Sequence, residues 1–376
     1  MIINEYPVIT DITRKIELLC WGLRKNRTVE DVYDRQNPFD LTRTGNVGLQ
    51  LLIGSSRIVA NVPVFNRFND ESPFTMLKEG EEYYIKNDIT NDIFCIYPME
   101  TPNWYMQEVS KNKFAGQYLL REGTETLICS ITNSCCYVPR NLQCRFCAMG
   151  SNSVKNIAES SNSRRLNIIK SIYCALADPQ NSATSINLTG GNSYELDRGS
   201  KKYLEFVEAI RKKSDIEISI ELSPPSDMSS LLALKEVGVN AVMMNIEIWD
   251  EKIRDIIMPG KAQIKREEYI KAWSYAVGLF GKGNVSSVII IGLENNKSVK
   301  DAIDTMTSIG VMPSIMPFRP NDGAVLECFP TTNPHDVAYL TSYAVECAKG
   351  KDISIINTPG CIGCGACAAE LDYYRE

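Results

Sequence analysis

From residue 126 onward the chain repeats one pattern: a short apolar run, a polar break, then a longer stretch with apolar residues at helical spacing. "TLICSIT" (126–132) reads as a strand and "RRLNIIKSIYCALAD" (164–178) as a helix, and "TSINLTGG" (184–191) with "KKYLEFVEAIRKK" (201–213) repeats the pair. "IEISIEL" (216–222) alternates strictly, with Ile216, Ile218, Ile220 and Leu222 on one face, and "SSLLALKEVG" (229–238) follows as a helix with a glycine stop. "NAVMMNIEI" (240–248) is the next strand, and "REEYIKAWSYAVGLFG" (266–281) carries Tyr269, Trp273, Ala276, Val277 and Phe280 along one helical stripe. "VSSVIII" (285–291) with a helix over 298–309, and "PSIMPF" (313–318) with "PHDVAYLTSYAVECAK" (334–349), complete six units.

Strand–helix units in succession imply a parallel sheet with helices outside it, and right-handed crossovers curl such a sheet into a barrel or part of one. Eight units close a barrel. Six predict an α/β fold, an open partial (β/α)6 TIM barrel over 126–345, with its ligand site at the C-terminal ends of the strands. Ahead of it the pattern differs. "DITRKIELLCWGLR" (11–24) has helical spacing, whereas "GNVGLQLLIGSSRIVANVPV" (45–64) and "EEYYIKNDITNDIFCIYP" (81–98) read as hairpins. A small α+β domain is expected over 1–125, and residues 346–376 form a separate cysteine-bearing tail.

The 376 residues suffice for two or three domains, and 44% hydrophobic with 23% charged residues is ordinary globular composition. A net charge of -6 argues against a nucleic-acid partner, because phosphate binding needs a basic surface. No apolar run reaches the roughly 20 residues that span a bilayer, so no membrane role is expected. "MIINEYPVITD" lacks the basic start and apolar stretch of a signal peptide, so a cytoplasmic location is expected.

Thirteen cysteines change the picture. Disulfides do not persist in a reducing compartment. Cys20, Cys95, Cys129, Cys174 and Cys347 lie on apolar patterns and read as small core hydrophobes. Two clusters do not. In "CCYVPRNLQCRFCAMG" (135–150), Cys135, Cys136, Cys144 and Cys147 directly follow the first barrel strand. Close-set thiolates select zinc or an iron–sulfur cluster. A zinc site calls for paired CxxC or Cys/His sets, and the chain's only histidine, His335, is far away in sequence. One CxxC joined by an earlier cysteine offers three thiolates, which on a four-iron cluster leave one iron open to a cofactor or substrate. At the other end, "NTPGCIGCGACAAELDYYRE" (357–376) places Cys361, Cys364 and Cys367 in C-x2-C-x2-C among glycines, the spacing of ferredoxin-like ligation. Cys328, in "VLECFP" after the sixth strand, is the candidate fourth ligand of that auxiliary cluster; otherwise that iron is open to substrate or to a small ligand.

A strand, then T-x-x-C (Thr132 to Cys135), then a terminal C-x-F-C resembles the radical S-adenosylmethionine (SAM) superfamily, and within it the biotin-synthase-related proteins. That group includes archaeal-type lipoyl synthases and a family found beside nitrilase genes. The usual C-x3-C-x2-C is here C-x8-C-x2-C through Cys135, or C-x7-C-x2-C through Cys136, with Cys135 preferred. The resemblance implies a 4Fe-4S cluster on Cys135, Cys144 and Cys147 that binds SAM. It implies a Gly-Gly turn near the SAM amino group at Gly190 and Gly191, with Asn192 replacing the usual acid. It implies ribose contacts from Asn245 and Glu247, carboxylate contacts from Arg254 and Lys261, and adenine packing at Ile290 or Ile291 beside Gly292.

The function implied is reductive cleavage of SAM to a 5′-deoxyadenosyl radical, which abstracts hydrogen from an unactivated carbon. An electron donor such as ferredoxin or flavodoxin, and a small-molecule or acyl substrate that a protein can carry, are the implied partners. Sulfur insertion with the auxiliary cluster as donor, in the manner of lipoyl or biotin synthases, is the leading expectation. Oxidation or rearrangement of a small molecule in cofactor or natural-product synthesis is the alternative. A non-catalytic iron–sulfur electron carrier is the reading from another class.

Overall fold

The computed structural model describes residues 9–39, 48–132, 134–152 and 159–376. The opening "MIINEYPV", the start of the first hairpin run and Asn133 of the T-x-x-C motif lie outside the described residues.

The chain begins with two helices, α1 (Asp11–Trp21) and α2 (Arg27–Gln36). Thr10 caps α1 reciprocally: its hydroxyl accepts from the Thr13 amide at 3.2 Å, and its own amide donates to the Thr13 hydroxyl at 2.8 Å. The strands β1 (Gly48–Ile53), β2 (Ile58–Pro63), β3 (Phe74–Glu79), β4 (Glu82–Asn87) and β5 (Ile93–Pro98) form an antiparallel sheet in the order β2-β1-β5-β4-β3. Two of its hairpins, β1–β2 and β4–β5, are those that the sequence predicts, and β3–β4 is a third; Ile53 pairs with Ile58 across a turn opened by Gly54 at φ +64°. Helix α1 serves two cores. Leu18 packs with the antiparallel sheet, whereas Ile12, Ile16 and Cys20 join the larger core.

A short hairpin, β6 (Glu108–Ser110) and β7 (Lys113–Phe114), leads to the main sheet. That sheet contains β8 (Leu120–Glu122), β9 (Thr126–Thr132), β10 (Ser185–Gly190), β11 (Glu217–Glu221), β12 (Ala241–Met243), β13 (Val285–Ile291) and β14 (Met312–Pro317). Its order is β14-β13-β12-β11-β10-β9-β8; β9 to β14 run parallel in chain order, and β8 is antiparallel on the β9 edge. After the turn α3 (Met149–Asn152), helices α4 (Ser161–Ala177), α5 (Leu204–Arg211), α6 (Ser229–Glu236), α7 (Glu251–Ile257), α8 (Arg266–Phe280), α9 (Asn296–Ile309) and α10 (Pro334–Lys349) alternate with the strands. This curled half-barrel is the partial (β/α)6 architecture that the strand–helix repeat predicts. Among the described residues no helix is long and apolar enough to cross a membrane.

The core sits between sheet and helices. Ile186, Leu188, Ile218, Ile220, Val285, Ile289 and Ile291 face outward into it and are almost wholly buried. The alternate positions face the barrel interior and are polar on β10 and β11: Ser185, Asn187 and Thr189, then Ser219 and Glu221. The open side of the half-barrel is closed by the end of the chain. Short helices α11 (Cys361–Cys364) and α12 (Glu370–Arg375) pack there, and Ile353, Ile355, Ile362 and Leu371 form a core with Met312 and α10. The buried Glu370 carboxylate accepts from the Ile315 amide, a donor on the edge strand β14. Wholly buried Lys15 of α1 donates to the Gly365 carbonyl at 2.6 Å and to Asp372 at 2.5 Å.

Candidate functional site

A cavity of about 370 Å³ lies inside the half-barrel and reaches the C-terminal ends of its strands. Cys135, Cys144 and Cys147 line it, and so do Cys361, Cys364 and Cys367. Both thiol clusters, more than 200 residues apart in sequence, face one space.

The first cluster is carried by a braced loop. The extra residues between Cys135 and Cys144 fold as a 3-10 turn over Val138–Arg140, closed by Asn141 in the left-handed region at φ +55°. Arg140 lies over the Tyr194 ring at 3.9 Å, and Tyr137 meets that ring edge-on. The Arg145 amide donates to the Ile257 carbonyl at 2.8 Å, and the Gly260 amide to the Leu142 carbonyl at 3.0 Å. The longer spacing is thus a formed turn that holds the cysteines. Cys135 is turned into the cavity, and Cys136 is not part of its lining.

The Gly-Gly turn ending β10 packs directly on this loop. A Cβ on Gly191 would fall 2.2 Å from the Ser134 carbonyl oxygen and 2.8 Å from the Cys135 Cα. The Asn192 carbonyl accepts from the Cys136 amide at 3.0 Å, and its side chain accepts from Ser223 at 2.6 Å. Gly190, Gly191 and Asn192 all line the cavity.

Asn245 and Glu247 line it too, although not as strand neighbours. Strand β12 ends at Met243, and Glu247 takes φ +59°, a left-handed conformation costly for a side-chain-bearing residue. Asn245 accepts from the Val288 amide at 3.0 Å. Lys261 grips both Glu247 oxygens, at 2.6 and 2.7 Å, so it is not a free cation awaiting a carboxylate. Burial raises the Glu247 carboxyl above its ordinary value, and Lys261 partly offsets this. Burial works to lower Lys261, but Glu247 outweighs it and leaves the ammonium raised.

Three expected contacts fall elsewhere. Arg254 is wholly buried, stacked at 5.2 Å on Tyr269 and outside the cavity lining. Ile291 is a core residue 1% exposed, whereas Ile290 lines the cavity; the period of two in a strand allows only one of them to face inward. Gly292, at φ +101°, abuts Thr332 rather than the cavity, and a Cβ there would fall 2.6 Å from the Thr332 hydroxyl oxygen. Cys328 is also misplaced by the sequence expectation. It is exposed, 3.3 Å from an Arg67 nitrogen, because the chain beyond β14 runs outward to meet the antiparallel-sheet region.

The C-terminal cysteines instead enter the barrel from its polar inner wall. Glycines make this possible: a Cβ on Gly360 would fall 1.9 Å from the Ser219 hydroxyl oxygen, and one on Gly363 would fall 1.8 Å from the Thr358 carbonyl oxygen. Asn187 donates to Cys361 Sγ at 3.1 Å and to Glu221 at 2.6 Å, and the Cys361 thiol lies 3.2 Å from the same Glu221 oxygen. Cys367 lies 3.5 Å from Glu122 Oε1, and Cys364 lies 3.4 Å from the Glu122 carbonyl. Arg319 lines the cavity beside Cys367; burial lowers its pKa, while Cys367, Cys20 and Glu122 hold it up. Sequence reasoning does not single out Glu122, Asn187, Glu221 or Arg319. The strict polar alternation of "SINLT" and "EISIE", in a sheet whose other face is helix-covered, is the available signal for a polar interior.

The first donor set suits a 4Fe-4S cluster. Burial pushes the Cys144 thiol well above its ordinary value and the Cys147 thiol up as well, the latter opposed by the Met149 amide. Metal binding is what makes thiolates of such cysteines. Among the described residues no three His, Cys, Asp or Glu side chains gather closely enough to hold a single metal ion.

Residues 140–306 match the radical SAM superfamily. A bacteriochlorophyllide c C-7(1)-hydroxylase of Chlorobaculum limnaeum is 28% identical over 122 residues, which are 32% of this chain and 30% of that protein. An uncharacterized protein of Methanocaldococcus jannaschii is 21% identical over 288 residues, 74% of this chain and 72% of that one. Among solved structures, a methylornithine synthase superposes with a TM-score of 0.45 at 18% identity, covering 61% of this chain and 64% of that one. The chain thus spans under a third of the length of the hydroxylase that it resembles. Residues 140–306, which form most of a half-barrel whose mouth carries three cysteines after its first parallel strand, are thus a segment of the radical SAM superfamily type.

Proposed function

We propose that the protein cleaves SAM reductively and functionalises an unactivated C–H carbon of a substrate held between two iron–sulfur clusters. When bound, the cluster at Cys135, Cys144 and Cys147 supplies the electron that splits SAM into methionine and a 5′-deoxyadenosyl radical. The chain supplies binding and orientation. Gly190, Gly191 and Asn192 form the wall against the cluster loop, and Asn245 with the Glu247–Lys261 pair supplies further polar lining. Val288, Ile290 and Met316 supply an apolar surface that suits the adenine ring and keeps water from the reacting carbon.

The observation that carries the reading further is that both cysteine sets open into one cavity. A cluster on Cys361, Cys364 and Cys367 would then lie beside the substrate. That supports sulfur insertion, in which a cluster held by Cys361, Cys364 and Cys367 would be the source of sulfur for the carbon that has lost its hydrogen, with lipoyl assembly on an octanoyl group as the most concrete case. The similarity to a hydroxylase supports a second reading, oxidation of a C–H carbon without sulfur transfer. A ferredoxin or flavodoxin as electron donor, and a cytoplasmic site of action, belong to the same proposal.

The test is anoxic reconstitution followed by reaction with SAM, dithionite and candidate acyl substrates. Release of 5′-deoxyadenosine with a product heavier by sulfur, and loss of cluster sulfide, supports insertion. An oxidised or rearranged product without sulfur rejects it and supports the second reading. No SAM cleavage at all leaves an electron carrier.

A further inference from the structure

Resting on the reading that Cys361, Cys364 and Cys367 hold a cluster, we propose that Glu122 is the fourth protein ligand of that cluster, a carboxylate completing a three-thiolate set. Three cysteines leave one corner of a cube without a thiolate, and the structure carries Cys328 away from it. Glu122 is the carboxylate placed for the role. It is 2% exposed and lines the shared cavity. It touches two of the three cysteines: Oε1 lies 3.5 Å from Cys367 Sγ, and its carbonyl oxygen lies 3.4 Å from Cys364 Sγ. Glu221 meets Cys361, and its two oxygens accept from Asn187 and Thr189 at 2.6 and 3.3 Å.

The backbone around Glu122 is shaped for this approach. Gly123 follows at φ +61°, and a Cβ there would fall 2.9 Å from Cys364 Sγ. A single residue of the antiparallel sheet, Asn61, ties both halves of the site together. Its side chain donates to Glu122 Oε1 at 3.2 Å, and its amide donates to the Ala366 carbonyl at 2.8 Å, between Cys364 and Cys367. Outer contacts of this kind orient ligands at metal centres. Arg319 supplies positive charge to the buried carboxylate and to Cys367. Oxygen is a harder donor than thiolate and a more easily displaced ligand of iron. The corner held by Glu122 is therefore the one that substrate or product sulfur can take.

The experiment uses full-length protein with Cys135, Cys144 and Cys147 changed to Ala, reconstituted anoxically with iron and sulfide, so that only the C-terminal site reports. Iron and sulfide content, Mössbauer spectra and the rate of iron loss to a chelator are compared for Glu122→Gln, Glu122→Ala and Glu122→Cys. Glu122→Gln preserves the shape and the acceptor for Asn61, so it separates ligation from folding. The expected result is iron loss at least roughly tenfold faster in the Gln and Ala variants. Glu122→Cys is expected to retain iron at least as well as the parent, with an all-thiolate Mössbauer signature. Iron retention and spectra in Glu122→Gln identical to the parent overturn the proposal. A parent that binds no cluster, or one whose iron is unchanged by Cys361→Ala, Cys364→Ala and Cys367→Ala, overturns the underlying reading and the proposal with it.

Discussion

Lys261 closes on both oxygens of Glu247 at 2.6 and 2.7 Å, and the pair lines the cavity within electrostatic reach of Cys144. The lysine arrives on the segment after α7, whose Gly260 packs on Tyr137 and Leu142 of the cluster loop. Cluster loop, polar wall and ion pair therefore form one connected unit.

Breaking this pair from one side leaves a buried charge uncompensated. Lys261→Met is expected to destabilise the protein by about 3–5 kcal/mol, and the double variant Glu247→Leu with Lys261→Met by much less. Denaturant unfolding of the four species in a double-mutant cycle measures this. A loss in the double variant equal to the sum of the two single losses would show that the two side chains do not act as a pair.

Two glycines separate packing from helix propensity. Gly191→Ala drives a methyl group into Ser134 and Cys135, so iron at the first cluster is expected to fall while iron at the C-terminal cysteines stays. Gly278 lies within α8, where an added Cβ would meet nothing within 4 Å, and Gly278→Ala is expected to stabilise by about 1 kcal/mol. Iron analysis with thermal unfolding of both variants checks the contrast.

The cysteines outside the cavity are expected to be silent. Cys328→Ser and Cys136→Ser should leave iron content unchanged, whereas Cys135→Ser should remove the first cluster. Loss of iron in Cys328→Ser would mean that its loop folds inward when metal is bound.

The barrel is legible in the sequence because burial on one face writes its period into each segment. "VSSVIII" and "PHDVAYLTSYAVECAK" form β13 and α10 over the same residues. The cavity is less legible. Alternation shows that Ile218 and Ile220 share a face, but it does not reveal that the opposite face, with Ser219 and Glu221, receives a loop from the end of the chain. Glu122 and Cys367 meet only through tertiary folding, and no local pattern marks either as the other's neighbour. Cys328 follows β14 and so reads as close to the barrel, yet Asp322 accepts from the Arg67 amide at 3.0 Å and draws the connection toward the antiparallel sheet. The run of three isoleucines hides the parity of β13, so sequence alone does not separate the inward Ile290 from the buried Ile291.

The closure of the half-barrel should be sensitive to pH through Glu370. Burial pushes its carboxyl up to about 7, against the opposing hydrogen bond from the Ile315 amide. In the unfolded chain the group titrates at about 4.3. Between these values the folded state binds more protons than the unfolded state, so stability falls as pH rises. The group carries no penalty below about pH 4. It carries its full penalty, on the order of 3 kcal/mol, above the folded value. Glu370→Gln keeps an acceptor for Ile315 and removes the charge. The variant is therefore expected to match the parent at or below about pH 4, to exceed it in stability at pH 8, and to lose the downward slope between them. Because Glu370 joins α12 to the edge strand, the same variant should slow amide exchange over residues 361–376 at pH 8. Parallel pH profiles for parent and variant would show that the carboxyl titrates alike in both states and that the edge is held by packing alone.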